Sequence, residues 1–341
     1  MLCQIDRDLK LWGDLPDQLK GIPKRVSIEE LCEAFFDIRN RETVFSFLQE
    51  QVMKKEQMGR QGTARTYANA YSHFRAFRDN VDLLFSELTT DMIERYEAWL
   101  TGRRLRQNSV RCYLRTLHTL LRKAVEEGLL DDGDLFSHVR LSHVKTAKRA
   151  ISEKELRAIA QLQLPGDTTV ALARDLFMFS FYMRGMPFVD IAYLRKSDLR
   201  NGMLTYCRKK TCQCLTVAWE KAQQTIVNRY ADRTTNSPYL FPIIRKEDGT
   251  EYRQYLRMQV NINRALKKIG LMVGLQMPLT TYVARHTWAS IARDMNISIA
   301  IISEGMGHSS LKTTQVYLNS IDTSRINEAN KKIIQRICGR K

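Results

Sequence analysis

The chain has 341 residues, enough for two domains with cores of their own. Apolar residues make up 44% of it, which excludes general disorder, and no apolar run is long enough to span a bilayer. Lys and Arg outnumber Asp and Glu by 54 to 37, and the net charge of +17 calls for a partner of opposite sign, most often nucleic acid. Asp6, Arg7, Asp8 and Lys10 stand where a secretory signal needs an apolar region. A cytoplasmic, nucleoid-associated protein with no membrane partner is therefore expected. The seven cysteines are odd in number and scattered. Cys212 and Cys214 lie two apart in a strand-like stretch that would point both to one face, with no second Cys or His pair at zinc spacing. Reduced thiols are expected there, neither metal ligands nor a disulfide.

In chain order, residues 1–40 form an N-terminal segment of mixed character. Trp12, Pro16, Gly21 and Pro23 interrupt it, and Ser27 with Glu30 makes a capping box for a short helix. Residues 41–145 read as helices. Thr63 is placed to cap a segment in which Tyr67, Ala70, Tyr71, Phe74 and Phe77 recur at helical spacing, and Thr90 to cap one with Ile93, Tyr96, Ala98, Trp99 and Leu100. From Ser109 to Glu127 an apolar stripe of Val110, Leu114, Leu117, Leu121 and Val125 runs beside a second stripe of Arg111, Arg115, His118 and Arg122. Arg103, Arg104 and Arg106 lie in the preceding loop. No acidic residue interrupts the second stripe, so Arg104, Arg111, Arg115 and Arg122 are candidate phosphate contacts.

Lys145, Lys148 and Arg149 make a basic linker, and Ser152 with Glu155 forms a capping box that opens a second domain, residues 146–341. Leu172 to Tyr182 reads as an apolar helix. A hairpin is expected next, with strands from Leu204 to Arg208 and from Cys214 to Val217, followed by a short strand from Leu240 to Ile244. The remainder reads as helical.

The chemistry-bearing residues lie in this half. Gly305-Met306-Gly307-His308-Ser309-Ser310 is followed, nine residues after the histidine, by Tyr317. Upstream stands Thr281-Tyr282-Val283-Ala284-Arg285-His286-Thr287. Cutting a phosphodiester without metal or nucleotide requires a nucleophile, cations for the developing charge and an acid for the leaving oxygen. Neither a Walker-type phosphate loop nor an acidic metal cluster is evident in the sequence, and no cofactor and no metal are expected.

These boxes resemble those of the tyrosine recombinases, or phage integrases, over about residues 152–320, with residues 41–145 similar in helical character and position. The resemblance implies that Tyr317 attacks DNA phosphate, that Arg285 clamps a non-bridging oxygen and that His308 bonds the scissile phosphate. It implies a first arginine in Met183-Arg184-Gly185-Met186-Pro187, a form that resembles an Arg-Gly-Met branch of the family. Arg184 is taken as that residue, on the expectation that the helix continues through it. Tyr282 stands where members commonly hold histidine, and a positioning role is expected for it. The general acid is implied to be a hairpin lysine; Lys209 and Lys210 are both candidates, and Lys210, before Thr211, is chosen.

The implied fold is mainly α with a small β-sheet: a helical core-binding (SAM-like) domain over 41–145 and an α+β catalytic domain over 146–341. Its C-terminal helix, with Ile326, Ala329, Ile333 and Ile334, would dock onto a neighbouring protomer, and residues 1–40 would be a remnant of an arm domain. The implied partner is double-stranded DNA, gripped by a C-shaped clamp. A homotetramer on two DNA sites is implied, with a monomer or weak dimer off DNA. The implied activity is site-specific recombination through a 3′-phosphotyrosine, for integration, excision or inversion. Alternative readings are a catalytically silent DNA-binding relative, a type IB topoisomerase-like strand relaxer and a helical transcription regulator.

Overall fold

The computed structural model describes residues 43–142, 144, 150–308, 310–317, 330–331 and 333–336. Expectations for residues 1–40, for the linker residues Lys145, Lys148 and Arg149, and for Ile326 and Ala329 fall outside these. The chain divides into two compact units, Met1–Thr146 and Ala147–Lys341.

In the first unit α1 (Val44–Gln57) buries Phe45, Leu48 and Val52, spaced three and four apart on one face. Its start is held by the Asp82 carboxylate, which accepts the Phe45 N–H at 3.0 Å. Helix α2 (Gln61–Phe77) packs on α1, and its buried Phe74 meets the rings of Phe45 and Tyr96 edge-on at 6.2 and 5.2 Å. Thr63 does not cap α2. The helix starts two residues earlier, behind Arg60. For α3 (Thr90–Gly102) the cap is Thr89, not Thr90, and accepts the Met92 N–H at 3.2 Å. Helix α4 (Gln107–Glu126) buries Val110, Leu114, Leu117 and Leu121 of the stripe read from the sequence, together with Leu120 and Ala124, and leaves Val125 of that stripe half-buried. This unit is wholly helical among the described residues, apart from a single bridge between Thr43 and Leu84.

In the second unit the capping box forms as expected. Ser152 Oγ accepts the Glu155 N–H at 3.3 Å, and Glu155 Oε2 accepts the Ser152 N–H at 2.7 Å, opening α5 (Glu153–Gln161). Helix α6 (Thr169–Tyr182) is apolar on nearly every side because it is the axis of this unit, packed against α9 (Glu251–Met272) and α10 (Thr281–Asp294). Its one buried carboxylate, Asp175, accepts hydrogen bonds from Arg174, Arg229 and Tyr230 at 2.6, 2.9 and 2.8 Å. Two further helices complete the middle of the unit, α7 (Phe188–Ala192) and α8 (Lys221–Asn228).

The sheet is small and antiparallel, in the order β1 (Leu199–Arg200), β2 (Met203–Cys207), β3 (Cys214–Ala218). Its alternation buries Leu204 and Tyr206 on β2, and Val217 on β3. Two expectations are corrected here. Leu240–Ile244 is no strand: Pro242 removes an N–H from the middle, Ile243 N bonds back to Phe241 O at 2.8 Å, and the segment is a buried turn. The expectation of reduced thiols with no disulfide is also corrected. Cys212 sits in the hairpin turn at φ 54°, exposed and free, whereas Cys207 and Cys214 are direct cross-strand partners with Cα atoms 4.0 Å apart and form a disulfide. The strand register sets Cys207 directly opposite Cys214, a cross-strand pairing that the expectation of reduced thiols passed over.

No helix among the described residues is long and apolar enough to cross a membrane. Replacing Phe74 by Ala should cost the first unit about 3–5 kcal/mol, from lost burial and the cavity left behind. The expected readout in urea is an earlier transition for the first unit, with the transition of the second unmoved.

Candidate active site

The site begins where α6 stops. Met183 N still bonds to Phe179 O, but the N–H groups of Gly185 and Met186 both turn back to Ser180 O, and Ser180 Oγ donates to Met186 O at 2.7 Å. Arg184 and Gly185 take φ of 57° and 72°, and Pro187 caps α7. The expectation of a helix continuing through Arg184 is therefore corrected, because a left-handed pair followed by proline cannot extend it. Gly185 is required twice over: beyond its φ, a Cβ there would stand 2.7 Å from Arg285 Cα. The turn still delivers Arg184, half-buried, to the same region. Its Cδ lies 3.7 Å from where a Cβ on Gly305 would stand.

Arg285 projects from the first turns of α10 and is 3% exposed. Its Nη1 donates to Gly185 O at 2.8 Å, and its Nη2 to Met306 O at 2.7 Å and to His308 Nε2 at 2.8 Å. The turn holding His308 follows α11 (Ile299–Gly305), which packs on α10 through Ile302, Met306, Ala289 and Ala292. Gly307, at φ 64°, makes that turn, and its missing Cβ leaves room for Leu215 and Arg208 of the hairpin. His308 Nδ1 meets the hydroxyl of the fully buried Thr314 at 2.8 Å. Burial first, then Arg285 and Arg208, push the His308 pKa down to about 4, so the imidazole is neutral near pH 7. Thr314 lies on α12 (Leu311–Tyr317), and Tyr317 is the last residue of that helix.

The hairpin turn is suspended from the same site. Buried Arg208 donates through Nη1 to Gly307 O, and its Nε lies 3.7 Å from Asp190 Oδ2. Asp190, on α7, accepts the Lys209 backbone N–H at 2.9 Å. Burial pushes the Asp190 pKa up, against the pull of that N–H and of Arg208, Arg285 and Lys209. Lys209 Nζ sits 4.2 Å over the Tyr193 ring, and Lys210 is exposed at the turn. The Tyr206 phenol, pushed up to about 12 chiefly by burial and then by Asp190, feels the charges of Arg285, Arg208 and Arg184 together. Three guanidiniums thus act on the buried Tyr206, and two of them, Arg208 and Arg285, on the Asp190 carboxylate, a concentration of positive charge suited to an anion.

Among the residues expected from sequence, Arg184, Arg285 and His308 come together here, and Lys210 is exposed on the hairpin turn that Arg208 ties to Gly307. Tyr282 stands one turn before Arg285 and is 43% exposed, its ring edge-on to His286 at 4.9 Å. Arg208 and Thr314 were not singled out in the sequence. Their signal was faint: an arginine adjoining the hairpin lysines, and a threonine one turn before Tyr317. In the first unit Arg104, Arg115 and Arg122 are exposed, whereas Arg111 donates to the carbonyl and hydroxyl of Ser142. His118 of that stripe packs edge-on to Phe136 at 4.8 Å. Among the described residues no group of three or more His, Cys, Asp or Glu is arranged to hold a metal.

The phage integrase SAM-like domain matches residues 43–137, and the phage integrase family pattern matches residues 149–323, just over half of the chain. The chain belongs to the phage integrase family. Among curated relatives, the tyrosine recombinase XerA of Pyrococcus furiosus is 27% identical over 195 residues, covering 56% of this chain but only 63% of the relative. Tyrosine recombinase XerD of Rhizobium meliloti is 22% identical over 284 residues, 80% of this chain and 89% of the relative. Among solved structures, XerH recombinase bound to a palindromic difH substrate in a post-cleavage complex has a TM-score of 0.59 at 18% identity, covering 78% of each chain. A lambda integrase tetramer bound to a Holliday junction has a TM-score of 0.55 at 16% identity, covering 89% of this chain and 91% of that one. The family fold, a SAM-like helical domain and a mainly helical catalytic domain with a small sheet, is the one expected from sequence.

The lowered His308 pKa carries a stability consequence. Between about pH 6.5 and about pH 4 the unfolded chain binds a proton at this site that the folded chain does not, so stability falls as pH falls through that window. His73 and His118, lowered chiefly by burial, act in the same direction in the first unit. His308→Gln should reduce the slope of the second unit's thermal midpoint against pH in this window; an unaltered slope would refute the assignment.

Proposed function

We propose that this member of the family is a site-specific recombinase that cleaves and rejoins double-stranded DNA through a 3′-phosphotyrosine intermediate. The observation that carries the reading is the contact between Arg285 and His308, which joins two sequence boxes at one buried point beside the helix that ends in Tyr317. In this reading Tyr317 Oη attacks the phosphorus, and the 5′ oxygen leaves. Arg285 and Arg184 neutralise the charge gathering on the non-bridging oxygens, the use for which planar guanidiniums are suited. His308 bonds the same phosphate, and the Tyr282 phenol donates to it from the start of α10.

Lys210 protonates the leaving oxygen. The engagement of the Lys209 ammonium with the Tyr193 ring favours Lys210 for this role. The phosphotyrosine ester retains the bond energy, so a second DNA hydroxyl can reverse the step without ATP. Nucleophile, charge-neutralising groups and acid are all side chains, so the proposed reaction needs neither metal nor nucleotide.

DNA would be gripped by a core-binding domain at residues 41–145, with Arg104, Arg115 and Arg122 on phosphates and Arg111 adding charge beside Ser142. The catalytic domain would span residues 146–341, with residues 1–40 a remnant of an arm domain and the C-terminal helix docking on a neighbour. The unit boundary and the two family matches support this division. Four protomers on two sites is the proposed assembly, supported by the relative solved as a tetramer on a Holliday junction.

The test is nicked suicide DNA carrying a candidate site from the flanks of the gene, in EDTA, resolved on denaturing gels. A covalent adduct mapping to Tyr317 is expected, and tight binding without an adduct would move the chain to the silent relatives. Tyr317→Phe should abolish the adduct while leaving DNA affinity nearly intact, since only a hydroxyl is lost. An adduct formed by that variant would displace Tyr317 as nucleophile. Arg285→Ala should lose about 3 kcal/mol of transition-state stabilisation, read as single-turnover cleavage slowed by a factor of about 100 or more.

A further inference from the structure

We infer that Arg208 is a positioning residue for the leaving-group step: its guanidinium holds the hairpin that carries Lys210 against the turn that carries His308. The inference rests on the reading of Lys210 as the acid given above. Lys210 is exposed in a turn, and a lysine on a free turn has no fixed place from which to give a proton. What fixes the turn lies one and two residues earlier. Arg208 is 7% exposed and donates through Nη1 to Gly307 O, the carbonyl directly before His308. The Lys209 N–H donates to Asp190 Oδ1 at 2.9 Å, and Arg208 Nε faces the other oxygen of that carboxylate at 3.7 Å. The turn is closed on itself by Arg208 N to Gln213 O at 2.9 Å and Cys212 N to Arg208 O at 2.8 Å. A displacement of Arg208 therefore moves the whole turn, Lys210 included.

The far side of the contact has a matching constraint. Gly307 holds φ 64°, and a Cβ there would stand 2.8 Å from Leu215 Cδ1 and 3.0 Å from Arg208 Cδ. The hairpin touches the His308 turn where only glycine leaves room. Arg285 is held instead by Gly185 O, Met306 O and His308 Nε2, all of which lie outside the hairpin. The phosphate clamp and the acid are thus anchored by different arginines, on consecutive carbonyls of one turn.

Separate anchoring means separate loss. Without the Arg208 guanidinium, Arg285 and His308 keep the bonds described above, whereas the hairpin loses its bond to Gly307. The step that suffers is the passage of a proton from Lys210 Nζ to the 5′ oxygen as the bond from phosphorus to that oxygen breaks. Its products are a neutral lysine amine and a 5′ hydroxyl. A sulfur in place of that oxygen leaves as a thiolate and needs no proton, because thiols are far more acidic than alcohols.

The experiment is single-turnover cleavage of two suicide DNAs by the full-length protein, one with the ordinary 5′ oxygen at the scissile bond and one with 5′ sulfur. Arg208→Met should slow cleavage of the oxygen substrate by about 100-fold, on the scale of losing a general acid, and cleave the sulfur substrate at close to the wild-type rate. Lys210→Ala should show the same pattern. The double variant should be no slower than Lys210→Ala alone, because both changes act on one step. Should Arg208→Met fail to fold for want of a cation beside Asp190, Arg208→Lys keeps that charge and lacks the fork that spans Asp190 and Gly307. It should show the same selective loss to a smaller degree. Equal slowing on both substrates by a folded variant overturns the inference, and so does wild-type speed on both. A double variant slowed by the product of the two single factors overturns it as well. A Lys210→Ala defect that sulfur does not repair removes Lys210 as the acid, and the inference with it. Absence of any wild-type adduct with either DNA sinks the recombinase reading as a whole, and this inference falls with it.

Discussion

A guanidinium that is almost entirely buried must have its charge and its N–H groups answered by the protein, and Arg285 is answered by the backbone on either side of it. Gly185 O and Met306 O take two of its donors, and His308 Nε2 takes a third. Each of these acceptors belongs to a turn with its own constraint. The Gly185 turn ends the central helix α6, and the Met306 turn ends α11. Arg285 thereby locks two helix ends to α10, and the site exists where those ends meet. Because the cost of leaving such a charge unanswered is several kcal/mol, the arrangement is fixed before any substrate arrives.

The hairpin is bound to this centre by a buried ion pair. Arg208 reaches Gly307 O, the carbonyl next to the one held by Arg285, and Asp190 receives both the Arg208 charge and the Lys209 N–H. Two arginines from different elements thus hold consecutive carbonyls of the turn that presents His308. The Cys207–Cys214 disulfide closes the strands immediately behind the exposed lysines. The base of the hairpin is therefore fixed to the pocket while Lys210 projects from the turn.

The departures from expectation share a cause. The helix reading through Arg184 and the strand reading over Leu240–Ile244 each took a local pattern at face value. In the folded chain a backbone group decided both: Ser180 O captures two N–H groups at the end of α6, and Ile243 N turns back to Phe241.

What the sequence determined by itself was whatever depends on residues near one another in the chain. The Ser152–Glu155 capping box, the apolar stripe of α4 and the paired strands around Lys209 and Lys210 were all legible, because helical and strand periodicity are local. The Arg285 and His308 boxes were legible through their resemblance to a family. Only the tertiary structure decided that Arg285 and His308 touch, that Arg208 and Asp190 pair beneath the hairpin, that Cys207 and Cys214 join, and that Thr314 faces the imidazole. Those are contacts of buried polar groups, whose partners are chosen by the need to satisfy every donor and acceptor once water is excluded. That requirement is set by the whole packed unit and leaves no periodic trace in the chain.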